Sequence, residues 1–221
     1  MTRQAAQDRP PVTSSKPIYL YQILAGDISD ATSGLNFIPP LSCFWQKSVD
    51  LIPNFDFIGS TQYIGSEIIV VTENTSIVSI NNIATTASSQ SVTGNPNWVT
   101  YRIGGVTGNV KIESTGALAA GVFGASGAAG FGGYYSGFGS FPRDTNITIC
   151  SNETINLFDE ITGNPEPNGT WTVPEGAPAL SGNNFNAAIN TPGDYFYSFT
   201  KICDNANLPI NIKLKVNLFT I

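Results

Sequence analysis

The chain reads as all-β, folded into two β-sandwich domains in series, and three observations carry that reading. Only 12% of its 221 residues are charged, about half the share of an ordinary globular protein. It holds 22 glycines and 14 prolines, and short β-branched and aromatic runs recur between clusters of Gly, Pro and Asn while helical periodicity is almost absent. The hydrophobic content of 41% supplies a core, and the length allows two domains of modest size.

Taken in order, residues 1–11 are polar and hold no apolar run, so they form a disordered leading segment rather than a signal peptide or anchor, and the chain reads as a fragment of a longer protein. Strands are expected at Ile18–Leu24, Glu67–Thr72, Thr75–Asn81, Trp98–Ile103, Asn109–Ser114 and Leu118–Gly124. Phe37–Leu41 and Leu51–Pro53 contain proline, which cannot donate to a ladder, so they are edge or extended segments. Gly108-Asn109 predicts a tight hairpin joining 98–103 to 109–114. Residues 104–139 hold 12 of the glycines, but the interleaved Leu118, Val122, Phe123, Phe131, Tyr134 and Tyr135 predict packed sheet rather than linker. Close backbone approach or positive φ is the expected reason for Gly121, Gly124, Gly130, Gly132 and Gly133. After Pro142-Arg143-Asp144 the composition turns acidic and Asn-rich, which divides a first domain, 12–143, from a second, 144–221. In the second, Thr170–Val173 and Tyr195–Ile202 are strands, and Ile210, Ile212, Leu214, Val216 and Leu218 alternate with polar residues in a closing strand.

Composition also bounds the chemistry. The chain has no histidine, which removes the commonest general base and metal ligand. Its net charge of −6 leaves no basic patch for nucleic acid, and no cofactor motif is present: no glycine-rich loop opens a helix and no phosphate-cradling lysine follows one. The uncharged run from Ser114 to Pro142 is too rich in Gly and Ala for membrane insertion.

The second domain opens with Ile149-Cys150-Ser151-Asn152, continues through Asn168-Gly169-Thr170-Trp171, and reaches Pro192-Gly193-Asp194-Tyr195-Phe196-Tyr197 before Cys203. In this combination it resembles the immunoglobulin-like repeats of secreted bacterial surface adhesins. The first domain resembles the IgGFc-binding-type domain of the same multi-domain surface proteins. The residues that carry this are Ser15-Lys16-Pro17-Ile18-Tyr19, Pro39-Pro40-Leu41-Ser42-Cys43, and Gly121 with Gly130-Phe131-Gly132-Gly133-Tyr134-Tyr135-Ser136-Gly137. The resemblance implies an extracellular, adhesive, non-catalytic role at a bacterial cell surface, beside further domains of a parent protein. Cys150 and Cys203, at the opening and late strands of the second domain, are expected to form a disulfide, with Cys43 left as a thiol.

The expected partner is an extracellular protein or a glycan. Trp45, Tyr134, Tyr135 and Phe138 are its candidate contacts, since aromatic side chains supply rigid amphipathic area. Trp98 and Trp171 sit within strand patterns and are expected in the core. Asp27 and Asp30 are candidate calcium ligands set against a plain polar turn, without the spacing or closing Glu of a calcium loop. The second reading is a carbohydrate-active enzyme or its accessory glycan-binding module, in which Glu153, Asp159 and Glu160 would be catalytic only if opposed across a cleft. A structural spacer is the third reading.

Overall fold

The computed structural model describes residues 12–15, 18–24, 34–126, 129–135, 141–204 and 206–219. They build strands and turns without a helix, and the chain divides into two compact units, Met1–Phe138 and Gly139–Ile221. The leading segment 1–11 lies outside the described residues.

Unit 1 contains β1 (Leu20–Leu24), β2 (Gly34–Ile38), β3 (Ser48–Ile52), β4 (Phe57–Ile58), β5 (Thr61–Gln62), β6 (Glu67–Glu73), β7 (Val78–Ile80), β8 (Ile83–Ala84), β9 (Ser89–Val92), β10 (Asn95–Ile103), β11 (Val110–Ser114), β12 (Leu118–Ser126) and β13 (Ala129–Tyr134). A five-stranded sheet of order β13-β12-β6-β10-β9 faces a four-stranded sheet of order β3-β11-β7-β8. One core fills the space between them: Ile68, Val70, Ile103, Leu118, Ala120 and Val122 from the first, and Val49, Ile52, Val78, Ile80, Val110 and Ile112 from the second. The period-2 pattern of β6 sends Ile68, Val70 and Thr72 inward, and Thr72 is satisfied there by the Ala117 carbonyl at 2.7 Å and the Ser114 hydroxyl at 2.9 Å.

The far face of the five-stranded sheet is covered too. Trp45 packs on Trp98 edge to face at 5.3 Å, with Ala117 and Ala119 beneath the rings. This cover is held by the Ser42–Lys47 segment, whose Gln46 and Lys47 carbonyls accept from the Leu118 and Ser114 amides.

The hairpin expected between 98–103 and 109–114 does not form. β10 pairs with β6 and β9, whereas β11 pairs with β3 and β7, so residues 104–109 cross from one sheet to the other. Gly105 and Gly108 do take positive φ, both 75°, but the turn is pinned elsewhere: Gly108 donates to the buried Asp56 carboxylate and accepts from the Phe55 amide. Of the expected strand 75–81 only Val78–Ile80 is extended. The Pro-interrupted segments become β2 and the edge strand β3, each ending just before its proline.

The glycine-rich stretch is an ordered hairpin, β12 with β13. Its register explains its composition, because glycine on one strand repeatedly faces an aromatic on the other: Gly121 opposite Tyr134, Phe123 opposite Gly132, and Gly124 opposite Phe131. A Cβ on Gly121 would lie 2.9 Å from the Phe123 ring and 3.0 Å from that of Tyr134, and one on Gly124 would enter the Phe131 ring edge, whereas a Cβ on Gly133 meets open space. Gly133 therefore does not serve the close approach expected of it. Phe123 is half-buried, its ring against Tyr134 at 5.8 Å.

Unit 2 contains β14 (Thr145–Cys150), β15 (Thr154–Asn156), β16 (Thr170–Thr172), β17 (Asn184–Asn186), β18 (Gly193–Cys203) and β19 (Ala206–Phe219). The main sheet has order β14-β19-β18-β16, and β15 pairs with β17 in a second, smaller one. Phe185 of β17 meets Tyr195 of β18 at 5.5 Å, and both are fully buried with Leu157, Tyr197, Ile212 and Leu214. The Tyr195 hydroxyl donates to the Thr191 carbonyl at 2.7 Å and fixes the corner entering β18. Trp171, expected in the core, is only half-buried: its ring lies 4.9 Å from that of Tyr197, tilted by 50°, and it donates to Asn183.

The expected Cys150–Cys203 disulfide is corrected: Cys150 is a free thiol, and Cys43 and Cys203 are disulfide-bonded. Topology forbids the expected pair. β14 runs parallel to β19 and sets Cys150 beside Phe219, whereas Cys203 sits beside Ala206 at the other end of that strand. Thirteen residues of strand at roughly 3.3 Å each separate the two by about 40 Å, against the few ångströms that a disulfide spans.

Candidate binding face

Among the described residues of unit 1, the hairpin of β1 and β2 carries the most exposed aromatic surface. Its register pairs Leu20 with Ile38, Tyr21 with Phe37 and Gln22 with Asn36. Alternation then sorts the side chains, with Leu20, Gln22, Asn36 and Ile38 on one face and Tyr19, Tyr21, Leu35 and Phe37 on the other. Outward stand Tyr19 at 79% exposure, Tyr21 at 53% and Leu35 at 71%, with the Phe37 ring between the two tyrosines at 6.4 and 5.7 Å. Inward stands Asn36, only 3% exposed, whose side-chain amide nitrogen has no hydrogen-bond partner among the described residues. Burying polar groups while presenting apolar ones costs stability, so the outward face is one that folding alone does not account for. Neither 18–24 nor 34–38 contains a charged residue. β2 runs beside β13, which places the hairpin next to the glycine-rich strand.

A second apolar tip lies on the β4–β5 hairpin, where Phe57, Ile58 and Ile64 are exposed. It is held from beneath by Asp56, which accepts from the Gly108 amide at 2.8 Å and the Gln62 side-chain amide at 3.0 Å. The Gly108 N–H first and the Gln62 amide second hold the Asp56 carboxyl below its ordinary value of 3.8.

The residues expected at the contact are dispersed. Trp45 is 2% exposed, so it is core and not a contact: the 42–47 segment folds it onto Trp98. Trp98 is core as expected. Tyr134 ends β13 and Tyr135 lies just past it, and the two differ in burial. Tyr134 is half-buried over Gly121, and burial pushes its phenol pKa up. Tyr135 is 45% exposed, its carbonyl accepting from the Gln46 side chain at 3.0 Å. Phe138, Asp27 and Asp30 lie outside the described residues. Glu153 accepts from the Cys150 amide within its own turn, and Asp159 and Glu160 are exposed in a turn of their own. Among the described residues no three of His, Cys, Asp and Glu gather where they could hold a metal ion.

Sequence reasoning missed Tyr19, Tyr21, Leu35 and Phe37 as a group. Ile18-Tyr19-Leu20-Tyr21 is apolar on both faces of a strand, so its pattern alone does not say which face is covered. The usable signal was the polar pair Gln22 and Asn36, which sits on the face opposite the tyrosines once the two segments are paired.

Residues 2–124 match a family model described as IgGFc binding protein. No curated protein and no solved structure matches the chain.

Proposed function

Because the chain belongs, through residues 2–124, to the IgGFc-binding protein family, we propose that it is an extracellular, non-catalytic binding module of a bacterial surface adhesin, and that the outward face of β1–β2 is its contact for a protein ligand. The observation that carries the reading is the exposed Tyr19, Tyr21 and Leu35 backed by an inward-facing Asn36. Tyrosine gives large contact area at small entropic cost and is enriched in binding hot spots. The disulfide-bonded Cys43 and Cys203 support an oxidising, extracellular setting.

Unit 2 serves in this reading as an immunoglobulin-like carrier. Support comes from the order β16-β18-β19 in one sheet against β15-β17 in the other, and from the Tyr195 hydroxyl bonded four residues back, the corner typical of such sandwiches. The family's description supplies the first probe: an immobilised immunoglobulin G Fc fragment, beside an array of extracellular glycoproteins and free glycans. The expected result is saturable binding to Fc or another protein, weakened at least tenfold by Tyr19→Ser with Leu35→Ser at an unchanged melting temperature. Binding that the double variant leaves intact overturns the assignment of the face, and binding to free glycans alone overturns the protein-ligand reading.

A further inference from the structure

We propose that residues 163–169 form a strap across the buried face of β18 that lifts and closes while the sheet beneath it stays folded, with Glu166 and Lys201 as its latch. The carrying observation is a lysine in a row of core side chains. β18 alternates, and its buried positions are Tyr195, Tyr197, Phe199 and then Lys201, which is only 8% exposed. Lysine is almost never buried so deeply without a partner. The partner here is the Glu166 carboxylate, itself largely withdrawn from solvent.

Glu166 comes from outside the sheets. The run Gly163-Asn164-Pro165-Glu166-Pro167-Asn168-Gly169 joins no ladder, and it is fastened to β18 through side chains. The Tyr197 hydroxyl donates to the Glu166 carbonyl at 2.7 Å and accepts from the Gly169 amide at 2.8 Å, while the Lys201 ammonium donates to the Glu166 carboxylate. Pro165 and Pro167 fix φ at two positions within the run. Gly163 opens it at a positive φ of 94°. Gly169 closes it where a Cβ would lie 2.5 Å from the Tyr197 ring and 2.7 Å from the Ser198 carbonyl. A segment stiff between two glycines, and tied by side chains rather than by a ladder, opens locally at less cost than global unfolding.

An ion pair suits a fastening that must release. Charges buried under the closed strap regain their hydration when it lifts, so the desolvation cost of closing is returned on opening. A charged latch therefore lets go more readily than an apolar contact of equal area. Lifting frees the Tyr197 hydroxyl and the Lys201 ammonium beside an aromatic row, in which Phe158, Trp171 and Phe199 flank the Tyr197 ring at 5.4, 4.9 and 5.8 Å. The device lies wholly within unit 2 and does not rest on the face argued for unit 1.

Native-state hydrogen exchange of the full chain, followed through low denaturant, reads the strap at the Gly169 amide. In the wild type this amide should exchange at least tenfold faster than the amides of the β18–β19 ladder and show almost no dependence on denaturant, as local opening requires. Lys201→Met and Glu166→Gln each leave a charge buried without its partner, and each should speed Gly169 exchange at least tenfold further. The double variant leaves no unpaired charge and should exchange more slowly than either single one. A wild-type Gly169 amide that exchanges at the rate and denaturant slope of the ladder would overturn the strap, and that measurement needs no variant to fold. Single variants that leave Gly169 unchanged, or effects that simply add in the double variant, would overturn the latch.

Discussion

Asp56 is the residue on which one end of unit 1 turns, since its carboxylate ties the Gly108 crossover and the β4–β5 hairpin to one point. A carboxyl with a lowered folded-state pKa contributes stability that is present above its unfolded value and lost as pH falls through the folded one. Thermal unfolding of the wild type should therefore lose stability below about pH 4, and Asp56→Asn should melt lower at neutral pH, with the gap between the two closing as the medium is acidified. A gap constant from pH 7 to pH 3 would show that Asp56 does not titrate this way. The glycines give a paired comparison. Gly124→Val places a Cβ inside the Phe131 ring edge and 2.5 Å from the Ser66 hydroxyl, so chemical denaturation should show a loss of about 1–3 kcal/mol. Gly133→Val meets nothing within 4 Å and should be close to neutral. Equal losses would mean that cross-strand packing is not what selects glycine here.

At the level of elements, the cysteine pattern is decided by strand direction. Thiol titration of the denatured, unreduced chain should find one free thiol, and peptide mapping should place it at Cys150; a label on Cys43 or Cys203 would contradict the structure. That β14 runs parallel to β19 could not be read from Thr145–Cys150, because a strand's residues carry its faces but not its direction or its neighbour. The same limit explains the failed hairpin: Gly108-Asn109 announces a turn, yet whether the chain returns along the same sheet or crosses to the facing one depends on partners as distant as Asp56. What was legible was whatever alternation and punctuation encode locally. β6, β12, β18 and β19 lie where their patterns put them, and the aromatics between 118 and 135 marked the glycine-rich hairpin as packed. The candidate face was not legible: of the contacts expected from sequence Tyr135 is exposed but lies outside it, and the β1–β2 tyrosines gave no sign of which way they face.

For the molecule as a whole, the family match ends at residue 124, inside β12 and before β13 begins. β13 pairs along β12 from Gly121 to Ser126 and brings Phe131 against Tyr63 at 5.1 Å, so the folded unit outruns the matched stretch. A chain ending at 124 should expose β12 as a raw edge and aggregate, whereas one ending at 138 should remain soluble and melt cooperatively. Both lack 139–221, so light scattering of the two isolates the part played by β13, and equal solubility would count against it. The parallel ladder of unit 2 has a mechanical consequence. Load applied to the start of β14 and the end of β19 pulls Thr145 and Phe219 in opposite directions along two adjacent strands that are in register over six residue pairs. The hydrogen bonds between them then resist in shear, all at once, rather than opening one after another like a zipper, and forced unfolding is governed by the height of that barrier rather than by equilibrium stability. A tether built this way holds under tension even where its resting stability is ordinary.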